Sequence, residues 1–206
     1  MSSVQIEPHY LGSLEYYALL SQFDQIILNV STVFQKQTYR NRAYLLGSNR
    51  ILILSIPVIA SSQTVYKDVK IDYGQNWLKD HWGAFYSSYG KAPFFDYLKQ
   101  DFHEVWFSKP KFLVDLVVKM HDVIGNILGE SPKYRLQSDG EVNNVDVYMD
   151  ILKPKEDFSE RKIYKSREYG QLFGNSFVPN LSIVDLLLNR GSESSSILHE
   201  SKHTLE

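Results

Sequence analysis

Residues 4–30 read VQIEPHYLGSLEYYALLSQFDQIILNV. Val4 to Ile6 form a short strand that Pro8 halts, and Gln25 to Val30 form a second one. Between them Leu14, Tyr17, Ala18 and the Leu19-Leu20 pair recur at helical spacing before Asp24. Strand, loop, helix and strand within about thirty residues define a βαβ unit, the building block of a parallel sheet. Ligands of such sheets gather at the carboxyl ends of the strands. That rim receives His9, in the loop after the first strand, and the segment 35–42, after the second.

Outward from this unit, Ile51 to Ile56 is a continuous apolar run without alternation, read as an inner strand covered on both faces and as the sheet centre. Val69 to Tyr73 alternates like a strand with one wet face. Three helices follow, and they give a helical layer at about 75–128. The first carries Trp77, His81, Ala84, Phe85, Ser88 and Tyr89 on one face, the second follows Pro93 and the third follows Pro110. Tyr134 to Leu136 and Val145 to Leu152 are expected strands, and the charge-dense Lys153 to Glu168 an exposed loop. Leu181 to Leu188 is an expected helix with Asn180 as N-cap and Gly191 as its stop. The class is therefore α/β, with a mostly parallel sheet, in a single domain over residues 1–191 and a flexible Ser-rich tail over 192–206.

Composition narrows the chemistry. The 206 residues contain no cysteine, which removes thiol nucleophiles, disulfides and Cys-based zinc sites. A formal charge of −2 gives no global basic field, so nucleic acid is not an expected partner. The amino terminus lacks a basic region followed by an apolar one, and no apolar run approaches a bilayer span, so the chain is read as cytoplasmic. No Walker A, G-x-G-x-x-G, G-x-S-x-G or kinase signature occurs. His199-Glu200-Ser201-Lys202-His203 spells HExxH, but it lies at the end of a Ser-rich run with no room for a third ligand, and no metal is expected there. Cofactor and oligomeric state are left open.

Between Asp24 and Asp68 there is no acidic side chain, and Lys36, Arg40, Arg42 and Arg50 all lie in that window. Gln35, Lys36, Arg40, Asn41 and Arg42 crowd guanidinium, ammonium and amide groups into one short segment, a chemistry suited to carboxylate or phosphate. An anionic small molecule is the expected ligand. His81, on the aromatic helix face, and His9, at the strand rim, are the candidate catalytic bases. His103 and His121 are read as packing or surface residues.

Taken together, Pro8-His9-Tyr10-Leu11, Phe34-Gln35-Lys36 with Asn41-Arg42, Ile56-Pro57-Val58, Asp68-Val69-Lys70-Ile71, Trp77 with His81, Tyr89-Gly90-Lys91-Ala92-Pro93-Phe94, Tyr169 with Gln171, and Pro179 to Leu187 resemble the WbqC-like family of bacterial proteins in their order. The resemblance covers residues 4–191 and singles out Gln35, Lys36, Asn41, Arg42, Asp68, His81, Tyr89, Pro93 and Asn180. It implies a place in surface-polysaccharide or modified-sugar assembly. The chain departs from the family pattern where Glu7 replaces a Gln, Gly12 a Pro, and Val30-Ser31 an acidic pair, which weakens any divalent-metal site at that strand end. A group-transfer enzyme acting on an activated sugar or similar anion is the expected function. The alternative is a non-catalytic glycan- or protein-binding protein, in which the same residues would spread over an exposed face.

Overall fold

Buried Val4 and Ile6 alternate with half-buried Ser3 and Gln5, which makes Ser3–Ile6 a strand, β1. The computed structural model describes residues 2–129, 134–137 and 145–203. β1 pairs in parallel with β2 (Gln25–Asn29), in the register Ser3 to Gln25 through Ile6 to Leu28. Strands β3 (Arg42–Leu46), β4 (Ile51–Ser55), β5 (Val58–Ile59) and β6 (Lys70–Ile71) intervene before β7 (Tyr134–Gln137) and β8 (Asp146–Val147). The main sheet has the order β7-β2-β1-β8, and all of its pairings are parallel. Its carboxyl edge is the floor on which the candidate site stands.

The helix joining β1 to β2, α1 (Leu14–Leu20), is buried along its whole length, Glu15 included, as expected of a helix apolar nearly all round. Ser13 caps it by accepting from the Tyr16 N–H, and the Asn180 side chain accepts from the Glu15 N–H. Asn180 therefore caps α1, not the helix that follows it, as the sequence suggested. That following helix, α5 (Ile183–Arg190), is capped by Ser182. Gly191 then stops α5 with φ +54, and an added Cβ there would fall 2.3 Å from the Phe94 ring, so only glycine lets the ring pack.

The helical layer comprises α2 (Trp77–Tyr89), α3 (Phe95–Phe107) and α4 (Leu113–Leu128). Its inward stripes bury Phe85, Phe102, Trp106, Leu116 and Met120 in the common core. Three readings of the sequence need correction. Ile51–Ser55 is not the sheet centre; among the described residues it pairs only with β3, in a separate antiparallel hairpin, with Ile51 and Ile53 45% and 53% exposed. Val145 to Leu152 shortens to the two-residue β8, and the loop after it is not wholly exposed, since Leu152, Ile163 and Tyr164 are buried. Residues 194–200, expected within a flexible tail, form α6 (Ser194–Glu200) with Leu198 buried; the last three, 204–206, lie outside the described residues.

Candidate functional site

Glu7 follows β1 directly, and the chain then turns through Pro8 to His9. Both side chains are buried at the carboxyl edge of the sheet, with Glu7 Oε1 3.3 Å from His9 Nε2. The imidazole is held flat by two phenols: Tyr16 stacks on it at 4.3 Å and Tyr39 at 5.2 Å. Arg40 reaches the same place from the loop before β3 and is 2% exposed. Its Nη2 donates to Asp150 Oδ1 at 2.7 Å, while the Asp150 N–H donates to Glu7 Oε2 at 3.0 Å. Asp150 lies just after β8 in the left-handed region, φ +60, which Asp tolerates better than most residues. Strands β1 and β8 thus deliver Glu7, His9 and Asp150 to one rim, as their position in a parallel sheet dictates.

The electrostatics fix the proton positions. Burial raises the Glu7 carboxyl, but the hydrogen bond from His9, the Arg40 guanidinium and the Asp150 N–H outweigh it and hold its pKa at about 2. An ionised Glu7 only accepts, so His9 Nε2 carries the hydrogen and Nδ1 keeps a lone pair. Burial depresses the His9 pKa despite the attraction of Glu7, and the ring is neutral at pH 7. Three buried polar atoms in this neighbourhood have no partner among the described residues: His9 Nδ1, Arg40 Nε and Tyr66 Oη. Burial raises the Tyr66 hydroxyl pKa, with Arg40 opposing and Glu7 adding to the rise, which puts all three within electrostatic reach of one another. Leaving such a group unpaired costs about 1–3 kcal/mol, so each of these atoms favours a water or a ligand polar group beside it. The Asp150 side chain, 43% exposed, is where the cluster meets solvent.

The other sequence-derived candidates fall in different settings. Gln35 and Lys36 are exposed. Asn41 is a loop brace: its Oδ1 accepts from the Gln37 N–H and its Nδ2 donates to the Ile56 carbonyl. Arg42 is half-buried at the start of β3, bonded to the Tyr44 side chain and with Nε lacking a partner among the described residues. Asp68 is exposed. The Tyr89 hydroxyl lies in the core, accepting from the Leu46 N–H beside Asp185. Asn180, besides its cap, donates to the buried Glu15 carboxylate, which also takes two bonds from Arg161 at 2.7 and 2.8 Å.

His81 belongs to a different hydrogen-bond network from Arg40, although Arg42 at the start of β3 pairs across from Ser55 beside it. Its Nδ1 is 3.0 Å from the Tyr10 hydroxyl, which accepts from Trp106 Nε1 at 2.7 Å, and the Ser55 carbonyl bonds the same ring. Burial pushes its pKa down to about 4. His81 lines a groove of about 640 Å³ between β4 and α2, together with Ser55, Trp77 and Asp80 among others and with none of Gln35, Lys36, Arg40, Asn41 or Arg42. His9 and Tyr10, adjacent in the chain, therefore serve two separate networks: His9 that of Glu7 and Arg40, Tyr10 that of His81.

Sequence reasoning reached His9 and Arg40 but missed Glu7, Asp150, Tyr66 and the Glu15–Arg161 pair. Glu7 carried a usable signal, a carboxylate at a strand end two residues before a histidine. Asp150 carried none, because it meets Glu7 across 143 positions. His121, read as a packing residue, is buried with Nδ1 3.3 Å from the Tyr17 hydroxyl. Among the described residues no group of three His, Asp or Glu is placed to hold a metal ion, and the HExxH segment leaves the helix at Ser201.

A four-stranded parallel sheet carrying a buried carboxylate, imidazole and guanidinium at its carboxyl edge defines an α/β protein with a polar site at the strand ends. The family model of the WbqC-like protein family matches residues 7–157 and 154–197, and the chain belongs to that family. No curated protein and no solved structure matches it. No helix among the described residues is long and apolar enough to cross a membrane.

Proposed function

We propose that this protein is a group-transfer enzyme acting on an anionic small molecule, such as an activated sugar in surface-polysaccharide or modified-sugar assembly, with Glu7, His9 and Arg40 at its centre. One observation carries the reading: His9 presents a neutral, unpaired Nδ1 beside an unpaired Arg40 Nε, while Glu7 fixes the ring from behind. In the transfer step Nδ1 takes the proton of an acceptor hydroxyl or amine. The freed lone pair forms the new bond to the activated centre, and the bond to the leaving group breaks with its charge facing Arg40. The Asp150 carboxylate, on Arg40 and partly in solvent, stands where an incoming phosphate or carboxylate would sit. Lys36 and Arg42, nearer the surface in the same segment, would draw the anion in.

The test is calorimetric titration of a panel of nucleotide-sugars against the wild type, Arg40→Lys, Arg42→Ala, Asp150→Asn and His9→Asn, with turnover of any ligand that binds. Expected are weaker binding by Arg40→Lys, tighter binding by Asp150→Asn, and binding without turnover by His9→Asn. No ligand in the panel, or one affinity for all five proteins, overturns the reading. The non-catalytic alternative is favoured by the exposed placement of Gln35 and Lys36, and it predicts that binding of a glycan or partner survives His9→Asn with no turnover in the wild type either.

A further inference from the structure

The β3–β4 hairpin leaves one backbone edge open. Its ladder is bracketed by the Gly47 N–H to Arg50 carbonyl bond at the turn and the Ile56 N–H to Asn41 carbonyl bond at the other end. With the register Leu46 to Ile51 through Arg42 to Ser55, alternation makes Leu52 and Leu54 bond inward to β3. The N–H and C=O groups of Ile51, Ile53 and Ser55 therefore point away from it. The outer edge of β3 is occupied, since Ser182 donates to the Tyr44 carbonyl and Leu46 donates to Tyr89. On the outer edge of β4 only the Ser55 carbonyl has a partner among the described residues, the ring of His81.

Natural proteins protect an open edge with lysine, proline, a bulge or a covering loop. The outward positions Ile51, Ile53 and Ser55 carry none of the first two, and the groove between β4 and α2 leaves the edge open at Ile51 and Ile53, with α2 reaching it only at Ser55 through His81. A bare Ile-Leu-Ile-Leu edge with half-exposed isoleucines is a template for another strand.

We propose that this edge pairs antiparallel with the same edge of a second copy, about a two-fold axis at Ile53. Charge favours that occupant. α2 runs opposite to β4, with Tyr89 near the Leu46–Ile51 end and His81 at the Ser55 end. Arg50 therefore flanks one end of the open edge and Asp80 the other, and neither has an ion-pair partner among the described residues. A two-fold axis at Ile53 brings Arg50 of each copy toward Asp80 of the other. Ile53 then exchanges both backbone bonds with its own counterpart, and the Ile51 and Ile53 side chains of both copies gather on one face. The patch is complementary to itself, as an isologous interface requires.

Sedimentation velocity of the full chain across a concentration series tests this. Ile53→Pro deletes the outward N–H without touching any β3–β4 bond and is expected to weaken dimerisation at least roughly tenfold, with the circular dichroism spectrum unchanged. Ile53→Lys, which blocks the edge by charge, gives the same reading should the proline variant fail to fold. Arg50→Glu should also dissociate the dimer, and Arg50→Glu with Asp80→Arg should restore it. A wild type that is monomeric at every concentration overturns the proposal, even one that captures foreign peptides. A dimer indifferent to Ile53→Pro, Ile53→Lys and Arg50→Glu overturns it as well.

Discussion

The Glu7 carboxylate is buried, ionised and shared among His9, Arg40 and the Asp150 N–H, so its charge is held by neighbours and not by water. Buried charges of this kind tolerate replacement of the whole group better than removal of one member, because the remaining charge loses its compensation. Arg40→Met is therefore expected to cost about 3–5 kcal/mol at pH 7, read by urea denaturation. Adding Glu7→Gln to that variant should recover part of the loss, since the uncompensated carboxylate is gone. Costs that simply add in the double variant would show that Glu7 and Arg40 do not act as one unit. His9 was legible as a site residue because the strand before it and the proline beside it are local signals, and Arg40 because it belongs to a dense cationic segment. That Arg40 is already bonded to a carboxylate, and that His9 has a Glu partner, depends on chain folding over distances no local pattern encodes.

The elements most legible in the sequence are those whose periodicity states their environment: β1, α1 and β2, and the three helices between Trp77 and Leu128. The Ile51–Ile56 run misled because an unbroken apolar stretch tells the strand but not which faces are covered, and the hairpin leaves one face of β4 to solvent. The Ser-rich tail misled for the opposite reason. Its composition promises little, yet a short helix is held by tertiary contacts more than by propensity. Leu198 is 3% exposed, and the backbone beyond α6 pairs with the loop through Lys165 N–H to Ser201 carbonyl and His203 N–H to Ile163 carbonyl bonds. Leu198→Ala should therefore cost about 2–4 kcal/mol, against near neutrality for a residue in a flexible tail. Thermal or urea unfolding decides, and a change below about 0.5 kcal/mol would mean that α6 adds nothing to the fold.

At the scale of the molecule, buried Glu7, His81 and His121 oppose acid, while buried Asp185, whose carboxyl is pushed up by burial, works the other way in the carboxylate range. Glu7 has a pKa near 2, below its ordinary 4.5, so its stabilising contribution is complete above pH 4.5 and is lost as pH falls toward 2. His81 and His121 are pushed by burial to about 4 and about 3, from an ordinary 6.5. The unfolded chain protonates both rings below pH 6.5 while the folded chain keeps them neutral, so each drains stability as pH falls from 6.5 toward its folded pKa. Stability should thus be level between about pH 6.5 and the onset of tyrosine ionisation near 10, and decline below 6.5, the histidines acting first and Glu7 last, with Asp185 offsetting part of the loss in the carboxylate range. At 1.36 kcal/mol per unit, one such histidine accounts for about 2 kcal/mol of the loss between pH 6.5 and 5. His121 is the cleaner probe, because Tyr16, Tyr17 and Tyr134 surround it and of the Glu7 cluster only His9 acts on it, by charge and through its backbone. His121→Phe keeps an aromatic ring of similar size and leaves the Tyr17 hydroxyl without its acceptor, an offset that does not vary with acid pH. Urea midpoints from pH 7 to pH 4 should fall less steeply for His121→Phe than for the wild type by about that 2 kcal/mol at pH 5, whatever the vertical offset between the curves. Parallel curves would mean that the imidazole becomes protonated inside the fold at its ordinary pKa, and the dry cluster behind His9 would have to be wet.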